Sequence, residues 1–452
     1  MTINKYFKIK TKNRLIKTVI PAPGTLTLIK NLSKVESRSM HGQIPIAWDR
    51  AENFNVYDLA GNKFIDFTST IFVANIGHSN PRLLKYLNLS LKNKLIHSYA
   101  YINKVRNEYL KKLISFAGKN FEKAFLMSAG TEATEAALKL MRMHGIRQKK
   151  RKLGIICFDG NWHGRTLGSQ MMSGNKKQKD WIGYHDKDIH HIPFPYPWDI
   201  KNDNGEKLLL NSLKKLAKKI DIKKDICGVM IETFQGWGAL YYPKKYIKLL
   251  DKICKKNKIL ITFDEMQAGF ARTGFAFGYE YYNIKPDLIC VGKGMGGGVP
   301  ISGVIGKKKI MDLPEVGNMS STNSANPMAC YAGLAVLDEI KKNRLIQKTK
   351  INEKILYNEL EKIQKKFDQY ILMISGKGLI WAMIFKKFKN KDESYFLKLV
   401  VEECMKQGLI VVYTGRESIK IGPPLTITKS AIIEGTNILK KSIEIILKKK
   451  KW

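Results

Sequence analysis

The sequence predicts an α/β fold: a mainly parallel central sheet covered by helices in a large domain, with a smaller α+β domain beside it. Apolar runs at residues 124–127, 153–158, 229–231, 259–263 and 288–291 have strand length and are separated by helix-length segments, the pattern of a parallel sheet with crossover helices. Between the first two runs, Ala133, Ala136, Ala137, Leu140 and Met141 recur at the spacing of one helix face. Beyond residue 330 the pattern changes to helix-rich sequence, then to the strand-like runs GLIWAMIF and LIVVY.

From the N-terminus, residues 52–67 alternate apolar and polar about Ala60-Gly61-Asn62, which predicts a β-hairpin. Residues 1–79 are assigned to the smaller domain, 80–330 to the large one, and 331–452 to the C-terminal part of the smaller one. The helix over 128–145 is expected to close at Gly145, since glycine readily takes the conformation that ends a helix. A lysine-rich amphipathic stretch covers 350–366. A chain of 452 residues can bury a sizeable core and form about two or three domains.

The formal net charge of +40 would attract polyanions. Lysine supplies most of it, however, with only about a dozen arginines, and the lysines are spread along the whole chain rather than gathered in a stripe. No nucleic-acid-binding signature accompanies the charge, so nucleic-acid or membrane-surface binding is set aside as the main function. The six cysteines are widely spaced with no CxxC pair, which argues against a disulfide framework and a zinc site; no metal is expected. Charges interrupt the basic N-terminal stretch MTINKYFKIKTKNRLIKTVI before a signal-length apolar core can form. No run approaches the roughly 18 uninterrupted apolar residues of a membrane span. A cytoplasmic protein is expected.

In open α/β sheets ligands sit beyond the carboxyl ends of the strands, so the polar residues that follow each run are the candidates for chemistry. Gly130-Thr131 opens a helix, where unpaired N–H groups and the Thr hydroxyl would seat a phosphate; an ordinary capped helix has the same local form. Trp162, beside His163 and Arg165, offers a face for a flat ring, although such clusters are also common in cores. Glu232 ends the third run. Asp264 ends the fourth and is costly to bury unless a cation meets it, either a protonated ring nitrogen or a structural Lys or Arg. Lys293 follows the next run, and a lysine in a partly dry site is pushed toward the neutral amine that forms Schiff bases. The glycines around it fit GxGxxG, but Val299-Pro300 and an extended segment follow instead of a helix, which argues against a dinucleotide fingerprint.

Taken in order, these residues resemble the class III (ornithine/4-aminobutyrate type) aminotransferases, pyridoxal-phosphate enzymes of fold type I. The likeness runs over residues 57–427: Asp58, Gly61, Asp66-Phe67 and Gly77-His78; Ala129 to Ala133; His163 to Thr166; Asp264 to Gly274; Gly292-Lys293 to Gly298; and Ser321-Thr322 to Asn326-Pro327. The resemblance implies that Lys293 carries the cofactor and later moves a proton to and from the substrate carbon, while Asp264 keeps the pyridine nitrogen protonated. It further implies that Gln267 bonds the ring's phenolic oxygen, Trp162 stacks on the ring, Gly130 and Thr131 bind the phosphate, and Glu232 supports Asp264. Thr322 would reach the phosphate site of a neighbouring copy in a homodimer with shared active sites. Arg165 would anchor a substrate carboxylate.

Two departures bear on the substrate. Trp237 stands where 4-aminobutyrate and ornithine members place a Glu, and Lys420 where they place the Arg that pairs with it. A lysine binds a carboxylate as a point charge rather than a fork, and Trp237 would narrow the pocket. Thr70 and Asn80 also replace a Gly and a His of the family. The resemblance implies transamination from an amine or ω-amino acid, 4-aminobutyrate-like, to a 2-oxo acid such as 2-oxoglutarate or pyruvate. The alternatives are a decarboxylase or aminomutase on the same fold and, from another class, a basic binding protein with a degenerate enzyme fold.

Overall fold

The computed structural model describes residues 8–200, 204–388 and 392–450, so the first seven residues of the basic N-terminal stretch lie outside the described residues. The chain forms two compact units. The larger comprises Pro81–Gly236 and Leu240–Ile346; the smaller comprises the chain up to Asn80, the three residues Trp237–Ala239, and the chain from Gln347.

The larger unit is built on seven strands: β1 (Lys123–Met127), β2 (Gly154–Phe158), β3 (Ile189–Ile192), β4 (Ile226–Glu232), β5 (Leu260–Asp264), β6 (Leu288–Val291) and β7 (Ser302–Gly306). They lie in the order β1-β7-β6-β5-β4-β2-β3. Only β7 runs against its neighbours, so the sheet is mixed and mainly parallel. Every residue of β2, β4, β5, β6 and β7 is buried, which is why β2, β4, β5 and β6 read as apolar runs. Two strands, β3 and β7, were less legible. In β3 the sequence IHHI hides an edge strand behind two histidines, and the extended segment after Pro300 gave no sign of antiparallel pairing.

Helix α1 (Gly130–Arg147) follows β1 and buries Ala133, Ala137, Leu140 and Met141. Gly145 does not close it. The helix continues to Arg147, and Gly145 lies against β4, where an added Cβ would stand 2.7 Å from the Cys227 Cβ. Close helix–strand packing, rather than termination, requires that glycine.

The helix Pro327–Lys342 belongs to the larger unit, so the second boundary falls after Ile346 rather than at 330. It packs on Pro81–Lys92 and Lys104–Ala117, with Arg82 paired to Glu339 at 2.7 Å and Lys112 to Asp338 at 2.9 Å. Its pattern says that a face is buried without saying against which partner, so the boundary was not readable.

In the smaller unit the expected hairpin is present: Asn55–Asp58 pairs antiparallel with Lys63–Asp66, and Asp58 Oδ1 accepts from the N–H groups of Ala60 (3.0 Å) and Asn62 (2.9 Å). Leu409–Ile410 pairs in parallel with Lys63–Asp66, joining sequence-distant parts of the chain. A second sheet has the order Ile371–Lys377, Ile380–Phe385, Ser418–Ile421, Val412–Tyr413. Trp237–Ala239 is tied in by Ser418 Oγ donating to the Trp237 carbonyl and Ser375 Oγ to that of Ala239, at 2.9 and 2.8 Å. Ser69, Thr70, Ile71 and Phe72 all have left-handed backbones, with φ of 48, 51, 59 and 69°. Each such residue costs roughly 1–2 kcal/mol. The turn is held by Ser69 Oγ donating to the Gly422 carbonyl at 2.7 Å.

Among the described residues no helix is long and apolar enough to cross a membrane, and no acid, His or Cys cluster could hold a metal ion.

Candidate active site

Three strand ends and one helix start converge in the larger unit. Asp264 is the last residue of β5 and pairs in register with Glu232, the last residue of β4, and with Cys290 of β6. Two acids thus lie side by side, both buried. Lys293 follows β6 in a short 3-10 turn, Lys293–Met295. Its φ of 46° is unusual for a residue with a side chain and costs backbone strain that the surrounding packing must hold. The Met266 sulfur lies beside both Gly292 and Gly130; a Cβ on Gly292 would stand 2.6 Å from it, so the lysine turn and the start of α1 meet at one side chain.

The electrostatics follow from the burial. Desolvation pushes the Lys293 amine toward its neutral form, opposed by the carboxylates of Asp264 and Glu232. Burial lifts Glu232 to about 7; Asp264 adds to the rise, while His163 and the N–H groups of Trp162 and Gly236 oppose it. Those N–H groups donate to Glu232 Oε2 at 2.9 and 3.3 Å, and Gln267 Nε2 reaches Oε1 at a long 3.5 Å.

Asp264 is oriented by two donors, His163 Nδ1–H to Oδ2 at 2.9 Å and the Met266 N–H to Oδ1 at 3.0 Å. A carboxylate has about four acceptor sites, so further ones remain for another cationic donor. The sequence places His163 inside a motif without revealing its partner. The need of a buried acid for a partner is the signal in the sequence, but it points equally to a ligand nitrogen, a Lys or an Arg.

At the start of α1, Glu132 folds back to accept from the N–H groups of Ser128 and Ala129 at 2.9 and 2.7 Å. Those of Gly130 and Thr131 lie in the first helical turn, where no intrahelical acceptor exists. Trp162 is half-buried, with the exposed Arg165 guanidinium 4.6 Å from its ring centre.

Thr322, Trp237 and Lys420 stand on other segments of the chain. Thr322 is exposed in the loop before Pro327, its carbonyl accepting from His97 Nε2 at 2.9 Å. Trp237 and Lys420 belong to the smaller unit. There Arg416 lies 3.8 Å from the Trp237 ring centre, and the buried Lys420 ammonium lies 4.5 Å from that of Phe72.

Helix-start N–H groups for a phosphate, a carboxylate with open acceptor sites for a ring N–H, a lysine pushed toward neutrality and an indole face define a site that fits pyridoxal phosphate. The fold and site are those of a pyridoxal-phosphate enzyme. The aminotransferase class-III family model matches residues 37–443, and the chain belongs to that family. It is 30% identical to an acetylornithine aminotransferase of Clostridium acetobutylicum, over 91% of this chain and 100% of that one. It is 29% identical to a 4-aminobutyrate aminotransferase of Mycobacterium leprae, over 95% and 98%. The acetylornithine aminotransferase structure from Elizabethkingia anophelis superposes with a TM-score of 0.77 at 26% identity, covering 93% of this chain and 99% of that one. The protein is a pyridoxal-phosphate-dependent aminotransferase. The decarboxylase, aminomutase and basic-binding readings are not favoured.

Proposed function

We propose that this aminotransferase takes its amino group from an ω-amino donor, 4-aminobutyrate or a related amine, and passes it to a 2-oxo acid such as 2-oxoglutarate or pyruvate. The observation that carries the catalytic part is the juxtaposition of Asp264 and Glu232 at adjacent strand ends with a lysine whose amine burial drives toward neutrality. Pyridoxal phosphate, when bound, supplies a carbonyl that amines condense with and a ring that accepts electrons.

In this reading, Lys293 Nζ would hold the cofactor and, with a donor bound, would take a proton from the donor's amine-bearing carbon and later return one. Holding the cofactor and taking the proton require the neutral amine; the ammonium so formed is what gives the proton back. Asp264 holds the ring N–H, and His163 Nδ1–H fixes that carboxylate's orientation. Glu232 holds the Trp162 N–H, so the indole presented to the ring stays in place. Gln267 Nε2 donates to the ring oxygen, and the N–H groups of Gly130 and Thr131 take the phosphate. Arg165 supplies positive charge for a substrate carboxylate.

The active unit in this reading is a cytoplasmic homodimer, with Thr322 completing the neighbouring copy's phosphate seat. Its support is the exposure of Tyr101 (79%), Ile102 (95%) and Val316 (106%), large apolar side chains that a monomer would leave in water.

The test is a donor panel of 4-aminobutyrate, ornithine and N-acetylornithine, each with 2-oxoglutarate or pyruvate. Transfer with at least one pair and parallel-line (ping-pong) kinetics are expected. Release of carbon dioxide without amino transfer would sink the reading.

A further inference from the structure

One acidic side chain outside the cluster around Asp264 stitches the start of α1 to the segment that carries Trp162. Glu135 lies one turn beyond Thr131 on the same face of α1. Its Oε1 accepts from three donors: the Thr166 hydroxyl at 2.5 Å, the Gly168 N–H at 3.0 Å and the Ser169 N–H at 3.3 Å. Thr166 Oγ1 stands 2.5 Å from Thr131 Oγ1, and Ser169 Oγ donates to the Thr131 carbonyl at 2.9 Å.

The order of the protons follows from chemistry. A carboxylate only accepts, so the Thr166 proton points at Glu135. The contact between the two hydroxyls must then use the proton of Thr131. Thr131 therefore donates inward, and its oxygen also accepts the Thr166 N–H at 3.4 Å. Contrary to what its place at a helix start implies, the Thr131 side chain has no proton left for an anion. The backbone N–H groups of Gly130 and Thr131 remain for that task.

We propose that Glu135 is a positioning residue for the phosphate seat: through Thr166 it locks Thr131 and the segment from Trp162 to Ser169 into one piece, leaving the phosphate to backbone N–H groups. This rests on the pyridoxal-phosphate reading of the site.

The experiment titrates pyridoxal phosphate into cofactor-free wild type, Glu135→Ala, Glu135→Gln and Thr166→Val, with the melting temperature of each cofactor-free protein as a folding control. Glu135→Ala and Thr166→Val should weaken cofactor binding by about tenfold or more, the loss of one or two hydrogen bonds. Glu135→Gln still offers an oxygen to Thr166 and should stay within about threefold of wild type. Binding by Glu135→Ala within about twofold of wild type overturns the proposal, as does Glu135→Gln as weak as Glu135→Ala. Thr166→Val keeps the test decisive if Glu135→Ala does not fold. A folded wild type that binds no pyridoxal phosphate would instead overturn the cofactor reading itself.

Discussion

Lys293 stands out among the many lysines by its surroundings rather than by its own motif. The glycines flanking it pointed to a dinucleotide, whereas its left-handed backbone, the desolvation of its amine and the two acids nearby single it out. Borohydride treatment of the loaded enzyme should fix the cofactor's mass on the peptide containing Lys293 and leave Lys293→Ala unlabelled; label elsewhere would refute the assignment. Asp264→Asn keeps the shape but loses the charge that the proposed function sets against the ring nitrogen. Turnover should fall on the order of a hundred- to a thousandfold, read as kcat at saturating cofactor. Most of these residues were legible because strand ends are where an α/β sheet presents chemistry. His163 and Glu135 were not, because their roles depend on which side chains they meet across more than thirty residues of sequence.

At the scale of elements, the buried parallel strands were readable from uniform apolar runs, while β3 and the antiparallel β7 were not: an edge strand tolerates polar residues, and pairing direction leaves little trace in sequence. The loop after β5 hangs on Glu265, which accepts from the N–H groups of Gly278 and Tyr279, each at 2.7 Å. Burial raises this carboxyl from 4.5 to about 7. Between those values the folded chain keeps a proton that the unfolded chain has released, so stability is greatest at the acid end and is lost as pH rises through about 7. The melting temperature of wild type should therefore fall more between about pH 5 and 7.5 than that of Glu265→Gln. Equal slopes would show that Glu265 is not the titrating group. Gly292→Ala would press a methyl against the Met266 sulfur and should cost about 1–3 kcal/mol in denaturant unfolding.

For the whole molecule, the sequence located the class of fold and the split into a large and a small part, yet it could not see that Trp237–Ala239 leaves one unit for three residues and returns. Such an excursion is set by two side-chain bonds from residues far along the chain, Ser375 and Ser418. Assembly is testable at this scale too: Ile102→Asp should shift sedimentation toward the monomer, and an unchanged dimer would remove Ile102 from the interface. With a net charge of +40, retention on a cation exchanger should be strong and steeply salt-dependent without implying any nucleic-acid partner.

The pairing of Leu409–Ile410 with Lys63–Asp66 also sets a timetable. A ribosome releases the N-terminal hairpin long before it makes the strand that covers its edge. The nascent chain must therefore carry an unpaired β edge through most of its synthesis, which makes the unfinished protein a natural client for chaperones.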